Sequence, residues 1–273
     1  MSHIDIAELA GILRDAARLE ILPRFRRLAA TDIRQKSSAT DLVTEADTEA
    51  EHRIKREIAA RWPEALVIGE ESVAADPDLL KRLPDAKLAI TVDPVDGTAN
   101  FVAGLPLFAV MAAVIVKGET VAGIIHDPMG DDVVLAERGA GAWTRRADGQ
   151  SQRLRVAASR PISEMVGTVS MGFLNLDTKP TVYANLARLK QPLNFRCAGH
   201  DYRQFAAGQT HFSSFNKLMP WDHVPGALIA AEAGGHLAKF DGSPYLPTDL
   251  AGGLLVATDP DSWHLLRREV FTV

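Results

Sequence analysis

Polar and apolar positions divide this chain into a helical start, a β-rich middle and an alternating second half. Residues 4 to about 30 carry Ile6, Leu9, Leu13, Ala16 and Ala17 at the spacing of one helix face, and Pro23 kinks or ends that helix. KSSATDLVTEAD (36–47) is polar and reads as a loop, with Thr44 placed to cap a helix running to about Arg61, before Trp62-Pro63. Ala65–Ile68 is a short apolar strand leading into GEES (69–72), and Leu88–Val92 a second leading into DPVDGTANF (93–101). From Leu107 the pattern turns to β. Strands over 107–116 and 120–125 flank a turn at Lys117-Gly118-Glu119, a hairpin, and short strands follow near 132–136 and 142–145. Beyond DGQSQ (148–152), strand-like runs at 153–157, 165–171, 193–197, 210–215 and 253–257 alternate with helical stretches near 180–190, 201–207 and 222–233. The reading is an N-terminal α+β half, 1–150, and a C-terminal α/β half, 151–273, without a true linker.

Composition narrows the classes of function. The chain has 273 residues, 47% hydrophobic and 24% charged, which suits one large domain or two small ones sharing a core. A net charge of −5 gives no electrostatic reason to expect nucleic acid or an anionic membrane as partner. Cys197 is the single cysteine, so an internal disulfide is impossible, and a reducing, cytoplasmic compartment is the expectation. The start, MSHIDIAELAG, does not open a signal peptide. The apolar run from Phe101 to Val116 is interrupted by Gly104 and Pro106 and falls short of the roughly 20 residues that span a bilayer.

Three acidic clusters stand at predicted strand ends or helix starts: Glu70-Glu71, Asp93 with Asp96, and Asp222. Strand ends are where open α/β sheets place ligand sites. Carboxylates gathered there repel one another, and a divalent cation removes that cost. Mg²⁺ is hard, prefers oxygen and commonly shares substrate phosphate as a ligand; two such ions about 3.5–4 Å apart activate water and stabilise a leaving oxygen. No His/Cys spacing for zinc is present. In DPVDGT (93–98), Asp93 and Asp96 can flank metals, the Val95 carbonyl can face one, and Gly97 lets the backbone approach a phosphate. Thr98 brings a hydroxyl able to orient water. Each motif alone also reads as a solvated loop, a turn or a helix cap, the acidic helix 45–57 included. Their conjunction in order along one chain points to metal-dependent phosphate chemistry.

KSSATDLVTEAD (36–47), GEES (69–72), DPVDGTANF (93–101) and WDHVPGALIAAEAGG (221–235) together resemble the inositol monophosphatase family of metal-dependent, lithium-sensitive phosphatases. The resemblance covers nearly the whole chain. It implies a layered αβαβα sandwich, usually a homodimer, acting on a small phosphate ester through two to three Mg²⁺ ions. By position, Glu70, Asp93 and the Val95 carbonyl match the first metal's ligands, and Asp93, Asp96 and Asp222 the second's. Glu70 also matches a residue that helps hold a weaker third ion. Asp47 and Thr98 match the pair that polarises the attacking water, with Glu71 supporting them from behind. Gly97 and Thr98 match the phosphate-binding turn, and Lys36 a basic residue at the mouth.

The substrate half departs from the pattern. Where relatives carry R-x-x-G-S-A-A, this chain has Arg196-Cys197-Ala198-Gly199 followed by His200-Asp201. The acidic residue that grips sugar hydroxyls, seven positions before the WD aspartate, is Phe215. His200, Asp201 and Phe215 are therefore expected on the substrate rim. A cationic or heteroaromatic leaving group, as in histidinol phosphate, is expected to compete with inositol phosphate. The other reading of Phe215 is a core strand residue. Sugar phosphates, 3′-phosphonucleotides and a non-enzymatic regulatory role remain as alternatives.

Overall fold

The computed structural model describes residues 4–35 and 42–272, so Lys36 lies outside the described residues. Helix α1 (Ile6–Ala16) is capped by Asp5 and continues as one π turn, Ala17–Ile21, before a 3₁₀ turn at Leu22–Arg24 where Pro23 stops it. A short ribbon, β1 (Ile33–Gln35) with β2 (Leu42–Thr44), leads into α2 (Glu45–Arg61). Thr44 is the N-cap, and Asp47 reaches back to it in a capping box.

The first sheet has seven strands in the order β3 (Leu66–Gly69), β4 (Leu88–Asp96), β5 (Ala109–Val116), β6 (Glu119–Asp127), β7 (Asp132–Glu137), β8 (Gly141–Arg146) and β9 (Ser151–Arg153). Only β3 and β4 pair in parallel. Between β3 and β4 lies α3 (Glu70–Ala75), and after β4 comes α4 (Thr98–Val102). The predicted hairpin at 117–119 forms, with Lys117 and Gly118 at φ 52° and 82°, both left-handed as a two-residue hairpin loop requires.

Five strands make the second sheet: β10 (Val166–Val169), β11 (Gln191–Leu193), β12 (Phe212–Phe215), β13 (His236–Lys239) and β14 (Leu254–Ala257), in spatial order β11-β10-β12-β14-β13. Helices α5 (Lys179–Leu186), α6 (Ala198–Ala206), α7 (Pro220–Glu232) and α8 (Pro260–Glu269) complete the chain.

Three apolar layers hold these parts together. Ile54 and Ile58 of α2 and Leu9 and Leu13 of α1 pack on Ile90, Val92, Val110 and Val114 of the first sheet. The opposite face, through Met111, Ile125 and Val134, meets Tyr202 and Phe205 of α6 and Ile229 of α7, which also touch Leu254 and Val256 of the second sheet. Val182 and Leu186 of α5 and Trp263 and Leu266 of α8 cover the far side of that sheet. The result is the αβαβα sandwich. Asp47 and Glu51 lie on the buried side of α2 rather than on a solvated face. Residues 154–157 form no strand; Val156 instead donates its N–H to the Ala233 carbonyl at 3.1 Å. The edge strand β13 and helix α8 were not anticipated.

Candidate active site

Glu70, Asp93 and Asp222 come together although 152 residues separate the first from the last: each offers a carboxylate oxygen, and the three lie within 4.8 Å of one another. Each is delivered by an element end. β3 stops at Gly69, and α3 begins at Glu70. Gly69 is required there, because a Cβ would collide with the Glu51 carboxylate. Glu51 in turn caps α3, accepting from the amides of Glu71 at 2.7 Å and Ser72 at 2.9 Å and from the Ser72 hydroxyl. β4 breaks its pairing with β5 between Asp93 and Asp96, a bulge that turns side chains out of the ladder register. Asp93 Oδ1 accepts from its neighbour's amide, Val95 N–H, at 3.0 Å. Asp222 arrives in the first turn of α7.

This crowding has an electrostatic signature. Burial, and then the charges of Glu70, Asp96 and Asp222, hold the Asp93 carboxyl well above the usual carboxylate range. Burial and the charges of Glu70 and Asp96 push Asp222 up to about 8. Three oxygen donors that repel one another, with no imidazole or thiolate among them, fit a hard divalent cation such as Mg²⁺.

Asp96 is placed differently from the other three. Its carboxylate turns to the start of α6, accepting from Ala198 N–H at 3.2 Å, Gly199 N–H at 2.5 Å and the Cys197 thiol at 3.0 Å. It still shares a cavity wall with Asp222. The Val95 carbonyl oxygen lies 3.0 Å from Thr98 Oγ1.

Asp47 and Thr98 meet across 51 positions of sequence. Thr98 Oγ1 lies 3.1 Å from Asp47 Oδ1, while Asp47 Oδ2 accepts from Thr44 N–H at 2.8 Å and Thr44 Oγ1 at 2.6 Å. The capping box of α2 thus fixes one oxygen and aims the other at Thr98. Gly97, at φ 90°, makes the left-handed turn into α4, and a Cβ there would sit 2.9 Å from the Leu107 carbonyl oxygen. Glu71 faces a separate cavity between α2 and α3, lined also by His52, Lys55 and Asp76.

A cavity of about 430 Å³ runs from Asp96 and Asp222 to the tip of the second sheet. Asp201 and Phe215 line it. His200 does not: it is buried, its Nε2 lies 3.3 Å from the Phe108 carbonyl oxygen, and burial lowers its pKa. The rim expectation for His200 fails because successive residues of α6 point about 100° apart, and the rotation that brings Asp201 to the cavity turns His200 to the Phe108 carbonyl. Phe215 belongs to the core, stacked on Tyr202 with ring centroids 4.9 Å apart. Burial, then the charge of Asp96, raises Asp201 well above its usual range.

Sequence reasoning passed over four residues that shape this wall. Arg196 and Lys217 line it, Arg196 at an unusual φ of 55°. Asn100 ties the loop before α6 to α4, donating to the Phe195 carbonyl at 2.7 Å and the Leu107 carbonyl at 2.9 Å. His223 joins the Lys217 carbonyl (2.8 Å) to the Tyr202 hydroxyl (3.2 Å), and burial depresses it to about 4, so it stays neutral. Asn100 and His223 lie inside DPVDGTANF and WDHVPGALIAAEAGG, where neither residue type signals its role without the fold.

Known proteins resemble this chain along most of its length. The profile described as the inositol monophosphatase family matches residues 5–270. A Nus factor SuhB of Pasteurella multocida is 34% identical over 82% of this chain and 80% of its own. A fructose-1,6-bisphosphatase/inositol-1-monophosphatase of Thermotoga maritima is 30% identical over 77% of this chain and 76% of its own. Among solved structures, a Thermotoga maritima IMPase superposes with a TM-score of 0.80 at 25% identity, covering 98% of this chain and 95% of that one. The extragenic suppressor protein suhB of Bartonella henselae gives 0.78 at 26%, covering 96% and 98%. With its ordered acidic motifs and its layered sandwich, this chain belongs to the inositol monophosphatase family.

Proposed function

We propose that the protein is a Mg²⁺-dependent phosphomonoesterase acting on a small phosphate ester. The observation that carries this is the convergence of Glu70, Asp93 and Asp222 within 4.8 Å, beside the Asp47–Thr98 pair. When bound, Mg²⁺ neutralises the carboxylates, draws the phosphate in and acidifies water. The chain's own residues do the rest. Thr98 donates to Asp47, which leaves an oxygen lone pair to accept a hydrogen bond from the attacking water; as that water's proton passes to Thr98 Oγ1, the Thr98 proton passes to Asp47. Asp47 is held so firmly by Thr44 that this acceptor is aligned before substrate arrives. The water oxygen bonds to phosphorus, the ester P–O bond breaks, the departing oxygen takes a proton from solvent water, and Asp47 returns its proton to solvent, leaving the alcohol and inorganic phosphate.

The SuhB relatives raise a regulatory reading. The intact acid set favours the enzyme, since a binding module has no use for mutually repelling buried carboxylates. Hydrolysis of p-nitrophenyl phosphate with and without Mg²⁺, followed by a phosphate-release panel of metabolites, decides between them. Metal-dependent turnover is expected; silence across the panel would support the regulatory reading.

A further inference from the structure

Glu51 is 1% exposed, and a buried carboxylate is normally offset by hydrogen bonds and opposite charge. The amides of Glu71 and Ser72, in the first turn of α3, supply the hydrogen bonds. Along the same hydrogen bonds, the positive charge it meets is that of Lys55, one turn further on in α2. The Lys55 ammonium donates to Ser72 Oγ at 2.5 Å, and that hydroxyl donates to Glu51 Oε1. A single hydroxyl thus relays the charge to the carboxylate. With six residues, α3 is too short to stand by helix propensity, so its placement rests on this cap and on buried Val73. Its first residue is Glu70, which repels the neighbouring Asp93 and Asp222 until a cation is bound. Lys55 lines the cavity of about 580 Å³ between α2 and α3, not the one that holds Asp96 and Asp222, so it acts on the acid cluster through other residues.

We infer that Lys55 is a positioning residue for the Mg²⁺ site, acting through Ser72 and Glu51 on the placement of Glu70; the inference rests on the acid cluster being a metal site, as the phosphomonoesterase reading has it. With the relay intact, α3 is pinned and Glu70 stays beside Asp93 and Asp222 despite their repulsion, so a cation meets its donors already assembled. Without the ammonium, Glu51 is left as an uncompensated buried charge, Ser72 loses a partner, and α3 loosens. Glu70 then relaxes away, and metal binding must draw it back. The sign separates this from a field effect. Deleting a positive charge near a cation site tightens cation binding by field alone, and the relay requires the reverse.

The test measures the Mg²⁺ dissociation constant of the full chain by calorimetry, beside p-nitrophenyl phosphate hydrolysis at saturating Mg²⁺. Lys55→Met keeps the apolar stem and removes the charge. It should raise the dissociation constant about tenfold, the low end for groups that orient a ligand from behind, while kcat at saturating Mg²⁺ falls far less. Lys55→Arg restores a charged donor and should recover most of the affinity. Ser72→Ala cuts the relay at its middle and should weaken binding as much as Lys55→Met does. The double variant should lose little more than either single one, because both substitutions break one path. Lys55→Gln, which keeps an N–H donor but not the charge, serves where Lys55→Met fails to fold, and it too should weaken binding. An unchanged or tightened dissociation constant on loss of the Lys55 charge overturns the inference. So does a double variant whose loss is the product of the two single losses, since Lys55 and Ser72 then act independently. A wild-type chain that binds Mg²⁺ yet hydrolyses no ester fails the phosphomonoesterase reading, while the dissociation constants still decide the role of Lys55. A wild-type chain that binds no Mg²⁺ overturns both.

Discussion

The acid cluster on the first sheet and the cavity wall built from α6, β12 and α7 solve opposite problems. Around the cluster nearly every acceptor is fixed by the chain: Asp47 by Thr44, Glu51 by the α3 amides, Asp93 by Val95 N–H. What remains unbalanced there is charge, concentrated on Glu70, Asp93 and Asp222. In the wall, the acids Asp96, Asp201 and Asp222 are joined by the cations Arg196 and Lys217, and the buried atoms without a hydrogen-bond partner are Asp201 Oδ1 and, on β12, Ser214 Oγ. A surplus of negative charge selects a cation whatever ester is used. A wall of mixed charge has no such preference, so under the phosphomonoesterase reading the cluster and the wall answer to different parts of a substrate.

Removing charge from the cluster is the most severe way to break that contrast. Asp93→Asn is expected to cut turnover to less than a tenth of wild type with Mg²⁺ present, while the metal-free fold survives or gains stability. The sign follows from linkage. A carboxyl raised in the folded state binds more protons there than when unfolded, so stability falls as pH rises through the window. The depressed histidines, His126, His200, His223 and His236, work the other way, but only below their ordinary value of about 6.5. By about pH 7.5 the histidines are neutral in both states, and above it the raised carboxylates set the slope. Metal-free protein should therefore melt at a lower temperature at pH 8.5 than at pH 7.5, Asp222 being raised to about 8. Added Mg²⁺ should flatten that slope. A flat metal-free profile in calorimetry would mean that these acids do not crowd one another in solution.

Thr98→Ala is milder. The hydroxyl contributes mainly in the transition state, so kcat should fall about 10²-fold or more with KM little changed. Thr98→Ser keeps the oxygen and should recover most of the rate. A change confined to KM would move Thr98 from water activation to substrate binding.

The cluster was legible in the sequence because its residues are local to strand ends and are the wrong type for a core. Even so, pattern alone did not show that Glu51 is buried: on a helix otherwise rich in acids, Glu45, Asp47, Glu49 and Glu51 look alike until α3 docks on one of them. The wall was hardly legible. Whether His200 or Asp201 faces the cavity depends on the rotation of α6, which is set by contacts of Tyr202 and Phe205 with α7 and both sheets. Phe215 reads equally as rim or core from a four-residue strand. Helix α8 went unnoticed although Asp259-Pro260 is an N-cap followed by proline, a start signal that the polar residues after it obscured.

Gly69→Ala sharpens the comparison at the level of support. The new methyl displaces Glu51 from the α3 amides, a loss of about 1–3 kcal/mol for the buried carboxylate's unmet hydrogen bonds. Because α3 carries Glu70, the Mg²⁺ concentration for half-maximal activity should rise as well. Thermal melts and metal titrations read the two effects separately. Loss of stability with an unchanged metal requirement would detach the cap from the cluster.

Phe215→Leu is the smallest perturbation of the wall. The ring packs on Tyr202 and His223, and an aromatic pair is worth about 0.5–1.5 kcal/mol beyond the area it covers. Leucine keeps most of the apolar surface, so the melting temperature should drop by only a few degrees. It neither adds nor removes an acceptor, and the ratio of kcat/KM for myo-inositol 1-phosphate to that for p-nitrophenyl phosphate should move by less than threefold. Phe215→Glu tests the opposite idea, that the side chain at 215 still addresses the substrate. A carboxylate there would be buried against Tyr202 with its oxygens unpaired, so the variant should lose stability by several kcal/mol rather than gain polyol selectivity. If Phe215→Glu instead folds normally and raises the ratio, β12 still presents this position to substrate, and the division of labour between cluster and wall must be redrawn around it.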